Sequence, residues 1–230
     1  MRSPKYSAGR KRVREFHWGG DAECCTLGDM DAAAAKADLR EAIRLRLLGF
    51  SEKQRAAESR TLCRTLTKIL PMEPTTIASY FPLKDEPDIR PLLRDLLQQG
   101  HHLYLPRLEG GRIVFHRAQN LSNVQPGANG IPEPPADAPL LEPQKLAYAL
   151  IPGRAFDRRG QRLGRGNGGY DIWIRAERQA NPATAFLGIA LEPQIVQEVP
   201  VEPHDERVDA LVTARGVVPC GRCDPSLRLP

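Results

Sequence analysis

The chain has 230 residues, 41% of them hydrophobic, with 33 Lys and Arg against 28 Asp and Glu and a formal net charge of +5. That length fits one globular domain with appendages, large enough to bury a core without disulfide staples, and no run approaches the roughly 20 apolar residues of a membrane-spanning helix. The positive balance favours an anionic partner, with nucleotides, polyanionic small molecules and nucleic acid all open, and the 21 prolines signal long loops or tails.

Residues 1–30 mix basic and acidic side chains with no hydrophobic period, which predicts a disordered basic tail. Mixed charge and few aromatics argue against a nucleic-acid arm there. The same segment lacks the apolar core of a secretory signal, so Cys24, Cys25, Cys63, Cys220 and Cys223 are expected as reduced thiols of a cytoplasmic protein. Cys220 and Cys223 form a lone CxxC with only His204 as a helper, short of the four ligands of structural zinc. Residues 218–230 are therefore read as a second disordered tail.

From residue 31 an apolar stripe of Leu39, Ile43, Leu47 and Phe50 appears at helical spacing. A second helix follows, opened by Ser51 as N-cap and closed by Pro71. Runs rich in β-formers come next at residues 76–81, 101–106 and 112–116, with a helix over residues 89–99 between the first two. Strand, helix, strand at that spacing predicts a βαβ unit and hence a parallel sheet. Residues 118–145, rich in Pro, Asn and Gly, predict a long ordered surface loop. Residues 146–151 read as a buried strand, 171–180 as a short helix, and 185–191 and 208–213 as further strands. The sum is an α/β domain over residues 31–217, a three-layer α/β/α sandwich with a mostly parallel sheet.

Between the strand at 146–151 and the helix at 171 lies RRGQRLGRGNGGYD, residues 158–171, with four arginines and five glycines. Such a run builds no core. Glycines let successive backbone N–H groups turn toward one anion, and a helix start adds partial positive charge. Arg158, Arg159, Arg162 and Arg165 add guanidinium forks suited to phosphate oxygens. Chemically this is a phosphate-binding loop. No Lys-Ser or Lys-Thr follows the glycines, so it is not the GxxxxGK[ST] kind. Gly164, Gly166 and Gly169 satisfy GxGxxG, with Glu192 beyond, but dinucleotide glycines follow their strand directly and these stand well past Ile151. Asp171 beside the loop would repel an anion unless a cation lay between them. Magnesium, held by one or two carboxylates plus phosphate oxygens and water, meets that need, with Asp205 as the second carboxylate. Capping of the following helix is an equal reading for Asp171.

The stretch IPGRAFDRRGQRLGRGNGGYD resembles the 5-formyltetrahydrofolate cyclo-ligase family, also called 5,10-methenyltetrahydrofolate synthetases. The likeness continues through KADLREAIRLRL, SYFPLKDEPDI, GHHLYLPRL and VPVEPHDERVDALVT, roughly residues 34–217. It implies a ligase that uses ATP and magnesium to close 5-formyltetrahydrofolate into 5,10-methenyltetrahydrofolate, releasing ADP and phosphate. In the family mechanism the formyl oxygen attacks the γ-phosphate, N10 attacks the activated carbon, and phosphate leaves.

The resemblance also implies residue roles. Lys36 and Arg40 would contact ATP, together with Arg162, Leu163, Gly164, Arg165, Gly166, Asn167, Gly168, Gly169 and Tyr170. Arg162, Arg165 and Tyr170 would act in catalysis. Phe81, Glu86, Arg165 and Gly169 would contact the folate, and Asp171 and Asp205 would hold magnesium. The family usually has a second tyrosine where Gly169 stands, so a ring that would stack on the folate is missing, and Asp88-Ile89 replaces the frequent Glu-Thr. The implied partner is a small folate, with or without a polyglutamate chain. Membrane and nucleic acid are not expected, and the protein is expected to be a cytoplasmic monomer. The alternatives are a homologue that binds folate or nucleotide without turnover, and an oxidoreductase using the GxGxxG.

Overall fold

The computed structural model describes residues 27–127 and 130–221. Cys24, Cys25, Cys223 and most of both expected tails lie outside the described residues. The apolar stripe of the first helix is realised in α1 (Leu27–Leu48), where Ile43 and Leu47 are buried and Leu39 and Phe50 pack beside them. This helix begins upstream of the expected boundary at residue 31. The next, α2 (Glu52–Ile69), opens with a capping box: Ser51 Oγ accepts from the Gln54 amide at 3.3 Å, and Gln54 Oε1 accepts from the Ser51 amide at 3.0 Å.

The predicted βαβ unit is present as β1 (Thr76–Ala78), α3 (Arg90–Gln98) and β2 (His102–Glu109), with β1 and β2 parallel and Thr76 opposite His102. β3 (Arg112–Arg117) returns antiparallel through Gly110 and Gly111, both with positive φ as a tight hairpin requires. The Pro-rich segment that follows holds a short ladder, β4 (Gln125–Pro126) with β5 (Pro132–Glu133), and a 3-10 turn at Pro143–Lys145. Then come β6 (Leu146–Ile151), β7 (Ala155–Asp157), β8 (Arg162–Leu163), α4 (Gly169–Ala180), β9 (Ala185–Ile189), β10 (Ile195–Val196), β11 (Ala210–Thr213) and β12 (Gly216–Pro219).

The main sheet has the order β12-β11-β9-β6-β1-β2-β3, with parallel inner strands and antiparallel edges. Alternate residues of each strand serve opposite faces. Ile77, Leu103, Leu105, Leu150, Leu187, Ile189 and Val212 pack under α2 and α3. Ala78, Tyr104, Ala149, Ile151, Phe186 and Leu211 pack under α4 through Trp173 and Ile174. That is the predicted three-layer sandwich. Among the described residues no helix is long and apolar enough to cross a membrane.

Two expectations need correction. β12 pairs with β11 as far as Pro219 and Cys220 is buried, so residues 218–220 belong to the domain and not to a tail. The arginine–glycine run is also not one continuous loop. Its first part folds back as the β7–β8 hairpin, with Phe156 opposite Arg162, and this hairpin joins β10 in a separate small sheet under α1. Arg158 and Arg159 sit exposed at the hairpin tip, where Arg159 pairs with Glu198 at 2.7 Å. Short pairing strands with no periodic run behind them leave little trace in a sequence.

One buried acid lies away from the cleft described below. Glu177 on α4 is 6% exposed, and its Oε2 has no hydrogen-bond partner. Burial raises its pKa from 4.5 to about 7, opposed by one hydrogen bond from Trp173. The folded state thus keeps a proton that the unfolded chain releases, and stability falls as pH rises through that window. Glu177→Gln is expected to stabilise the protein by on the order of 1–2 kcal/mol at pH 8 and by much less at pH 5. Thermal melts of both proteins at the two pH values check this. An equal gain at both would show that Glu177 titrates normally.

Candidate active site

Ligands of open α/β sheets lie beyond the carboxyl ends of the strands, where the strand order reverses. Here the order reverses between β1 and β6, and a cleft opens there, lined by Tyr80 and Phe81 after β1 and by Pro152 and Gly153 after β6. Five further segments close around it: α1, the β2–β3 hairpin, the turn from β8 into α4, the loop before β11, and the segment of Ile131 and β5.

α1 contributes through the continuation of its buried stripe. Positions 43 and 47 are Ile and Leu against the small sheet, and the same face two turns earlier carries Lys36 and Arg40, which line the cleft. Arg40 Nε donates to the Gly164 carbonyl at 3.0 Å. Lys36 is 6% exposed, and its Nζ donates to Glu202 Oε2 and to Asp205 Oδ2, both at 2.6 Å. Burial alone would lower the lysine pKa, but the hydrogen bonds to Asp205 and Glu202 outweigh it and raise the pKa above the usual value. The ammonium stays charged.

The turn into α4 presents Gly164, Arg165, Gly166, Asn167 and Gly168 to the cleft. Gly166 and Gly168 have φ of 106° and 65°, so the backbone turns in a way that side-chain-bearing residues resist. Gly168 is the N-cap of α4 and offers no side-chain cap. Asp171 therefore does not cap the helix. It sits in the first turn, 8% exposed, where Oδ1 accepts from Arg162 Nη2 at 2.8 Å and from the Glu206 amide at 3.2 Å. The Arg162 guanidinium also lies over the Tyr170 ring, 5.5 Å from its centroid. Burial, then the nearby Glu86 carboxylate, raises the Tyr170 phenol pKa far above the usual tyrosine value, so the hydroxyl stays protonated.

On the opposite wall Glu86 is largely buried. Its Oε2 accepts from the Leu83 amide at 3.0 Å and its Oε1 from Arg165 at 3.1 Å. Arg165 also donates to Asp85 at 2.8 Å.

Of the site residues read from the sequence, Lys36, Arg40, Phe81, Glu86, Arg162, Leu163, Gly164, Arg165, Gly166, Asn167, Gly168, Tyr170, Asp171 and Asp205 all line this one cleft. Gly169 does not. It is the first residue of α4, and a Cβ there would meet Ile113 Cδ1 at 2.9 Å and Cγ1 at 3.1 Å. Its backbone has no positive φ, and the obstructing atoms are the end of a flexible side chain that itself lines the cleft. Gly169→Tyr is therefore expected to fold and to tighten folate binding by about 0.5–1.5 kcal/mol through ring stacking. Calorimetry with 5-formyltetrahydrofolate checks it. Weaker binding by an intact fold would show that the glycine keeps room that the ligand needs.

Sequence reasoning missed Tyr80, Arg107, Ile131, Glu133, Glu202 and His204, which also line the cleft. Glu202, His204 and Asp205 place one ligand atom each within 4.8 Å of one another. This oxygen-rich donor set, already seating an ammonium, suits a hard cation such as magnesium. Asp171 stands apart from that trio, engaged by Arg162 and the Glu206 amide.

Known proteins share this chain's architecture. A family model described as the 5-formyltetrahydrofolate cyclo-ligase family matches residues 32–214. The 5-formyltetrahydrofolate cyclo-ligase of Mycolicibacterium smegmatis is 30% identical over 193 residues, covering 80% of this chain and 96% of that protein. The Mus musculus protein of the same name is 25% identical over 196 residues, covering 78% and 93%. The solved structure of Aquifex aeolicus 5,10-methenyltetrahydrofolate synthetase matches with a TM-score of 0.70 at 30% identity, covering 82% of this chain and 94% of that one. The matched span runs from the helix bearing Lys36 to the loop bearing Asp205, and the chain belongs to the 5-formyltetrahydrofolate cyclo-ligase family.

Proposed function

We propose that the chain cyclises 5-formyltetrahydrofolate to 5,10-methenyltetrahydrofolate with ATP, releasing ADP and phosphate. The observation that most supports this reading is the meeting, in one cleft, of a glycine turn flanked by cations with a folate-side wall of Phe81 and Glu86. Phosphoryl transfer depends chiefly on positioning and on neutralising charge. Backbone N–H groups of Gly164–Gly168 and the side chains of Lys36, Arg40, Arg162 and Arg165 hold the triphosphate. Glu86 accepts N–H groups of the folate, and Tyr170 donates from a phenol that stays protonated. The formyl oxygen attacks the γ-phosphorus and ADP departs. N10 then attacks the activated carbon and gives up its proton, the C–O bond breaks so that this proton and the bond's electron pair leave with phosphate, and the ring closes.

Asp205, with Asp171 bound to the neighbouring Glu206 amide, belongs to this reading as the holder of magnesium, which when bound would neutralise charge on the phosphates. A folate substrate, with or without a polyglutamate chain, and a monomeric cytoplasmic enzyme complete it. The test is absorbance of the methenyl product from purified protein, ATP, magnesium and 5-formyltetrahydrofolate. Binding of both ligands with no product would favour a non-catalytic homologue instead.

A further inference from the structure

Arg165 belongs to the glycine turn proposed to hold phosphate, and its resting partners are carboxylates of the segment proposed to face folate. Its Nη2 donates to Asp85 Oδ1 at 2.8 Å and to Glu86 Oε1 at 3.1 Å. The second oxygen of Asp85 accepts from Arg154 Nη1, so one carboxylate bridges two guanidinium groups. Arg165 is 40% exposed and able to turn, whereas the Glu86 side chain is only 9% exposed. Arg165 and Glu86 line the cleft, while Asp85 and Arg154 stand behind it.

These contacts have unequal consequences when Arg165 moves. A phosphate competes for its guanidinium as a strong, forked acceptor. If Arg165 turns to it, Asp85 keeps Arg154 and is not left unpaired. Glu86 keeps only the Leu83 amide, and Oε1 becomes a buried acceptor without a donor, which is costly. A ligand with N–H groups at that wall, as a reduced pterin has, removes the cost. By reciprocity, a folate that occupies Glu86 frees Arg165 for phosphate.

We propose that Arg165 exchanges between the Asp85–Glu86 pair and a nucleotide phosphate, so that each substrate strengthens the binding of the other, and that Asp85 is the positioning residue that sets the resting place of Arg165. The proposal rests on the functional reading above, in which Glu86 faces folate and Arg165 faces ATP.

The test is calorimetry of the full chain with 5-formyltetrahydrofolate, with and without a non-hydrolysable ATP analogue and magnesium. The analogue is expected to tighten folate binding at least about fivefold in the unaltered protein, and Arg165→Gln is expected to abolish that gain. Asp85→Asn removes a competitor for Arg165, so the analogue alone should bind roughly two- to fivefold tighter, with coupling retained through Glu86. A merely structural role for Asp85 would instead weaken both ligands and lower the melting temperature. Equal folate affinity with and without the analogue, or coupling that survives in Arg165→Gln, overturns the proposal while leaving the functional reading intact. Failure of the unaltered protein to bind either ligand overturns both.

Discussion

Asp171→Asn is expected to lower turnover by about two to three orders of magnitude, the largest catalytic effect of any neutral isosteric change in the cleft. Two causes act together. A carboxylate proposed to help hold the cation disappears, and Arg162, whose side chain is 3% exposed, loses its charged partner. The second cause reaches beyond catalysis. An asparagine oxygen still accepts from Arg162 but does not neutralise it, so ligand-free stability should fall by on the order of 1–3 kcal/mol. Had Asp171 only capped α4, asparagine would serve about as well and neither quantity would move. Thermal melts and a magnesium titration of turnover separate the contributions. Partial recovery of rate at high magnesium supports the cation role, and unchanged turnover would remove Asp171 from the site.

Lys36→Met should produce the largest loss of ligand-free stability. It leaves Glu202 and Asp205 facing each other without the ammonium that now sits 2.6 Å from each. Removing one member of such a largely buried pair costs on the order of 2–4 kcal/mol, which for a chain of this size lowers the melting temperature by about 5–15 °C. Magnesium should recover part of that loss, because a divalent cation between the same carboxylates replaces the missing charge. Lys36→Arg should lose less stability. Turnover should fall in the methionine variant whatever the magnesium concentration, since the lysine is also a proposed phosphate contact. A melting temperature unmoved by Lys36→Met would show that the ammonium is not seated where the structure puts it. Loss with no recovery by magnesium would remove Glu202 and Asp205 from the cation site.

Elements that carry a long periodic signal or local chemistry are legible along the chain. The stripe of Ile43 and Leu47, the Ser51 cap and the 76–106 βαβ unit follow from rules that act within a few residues, and all three are present. The glycine turn was legible for the same reason, because Gly166 and Gly168 occupy backbone conformations open to few other residues. Family likeness supplied the roles of Lys36 and Glu86, which no spacing in the chain connects.

Which charges meet is a property of the folded chain. Arg158 and Arg159 have the same local chemistry as Arg162 and Arg165, but the β7–β8 hairpin, with β10 paired alongside it, turns them to solvent. Local chemistry suits Asp171 equally to a cap, but Gly168 is the N-cap of the helix. Arg165 meets Asp85, and Lys36 meets Glu202, across 80 and 166 positions of sequence. Burial, ion pairing and competition for a shared counter-ion depend on distances through space, and those are set by how the sheet stacks its strands, not by neighbours along the chain.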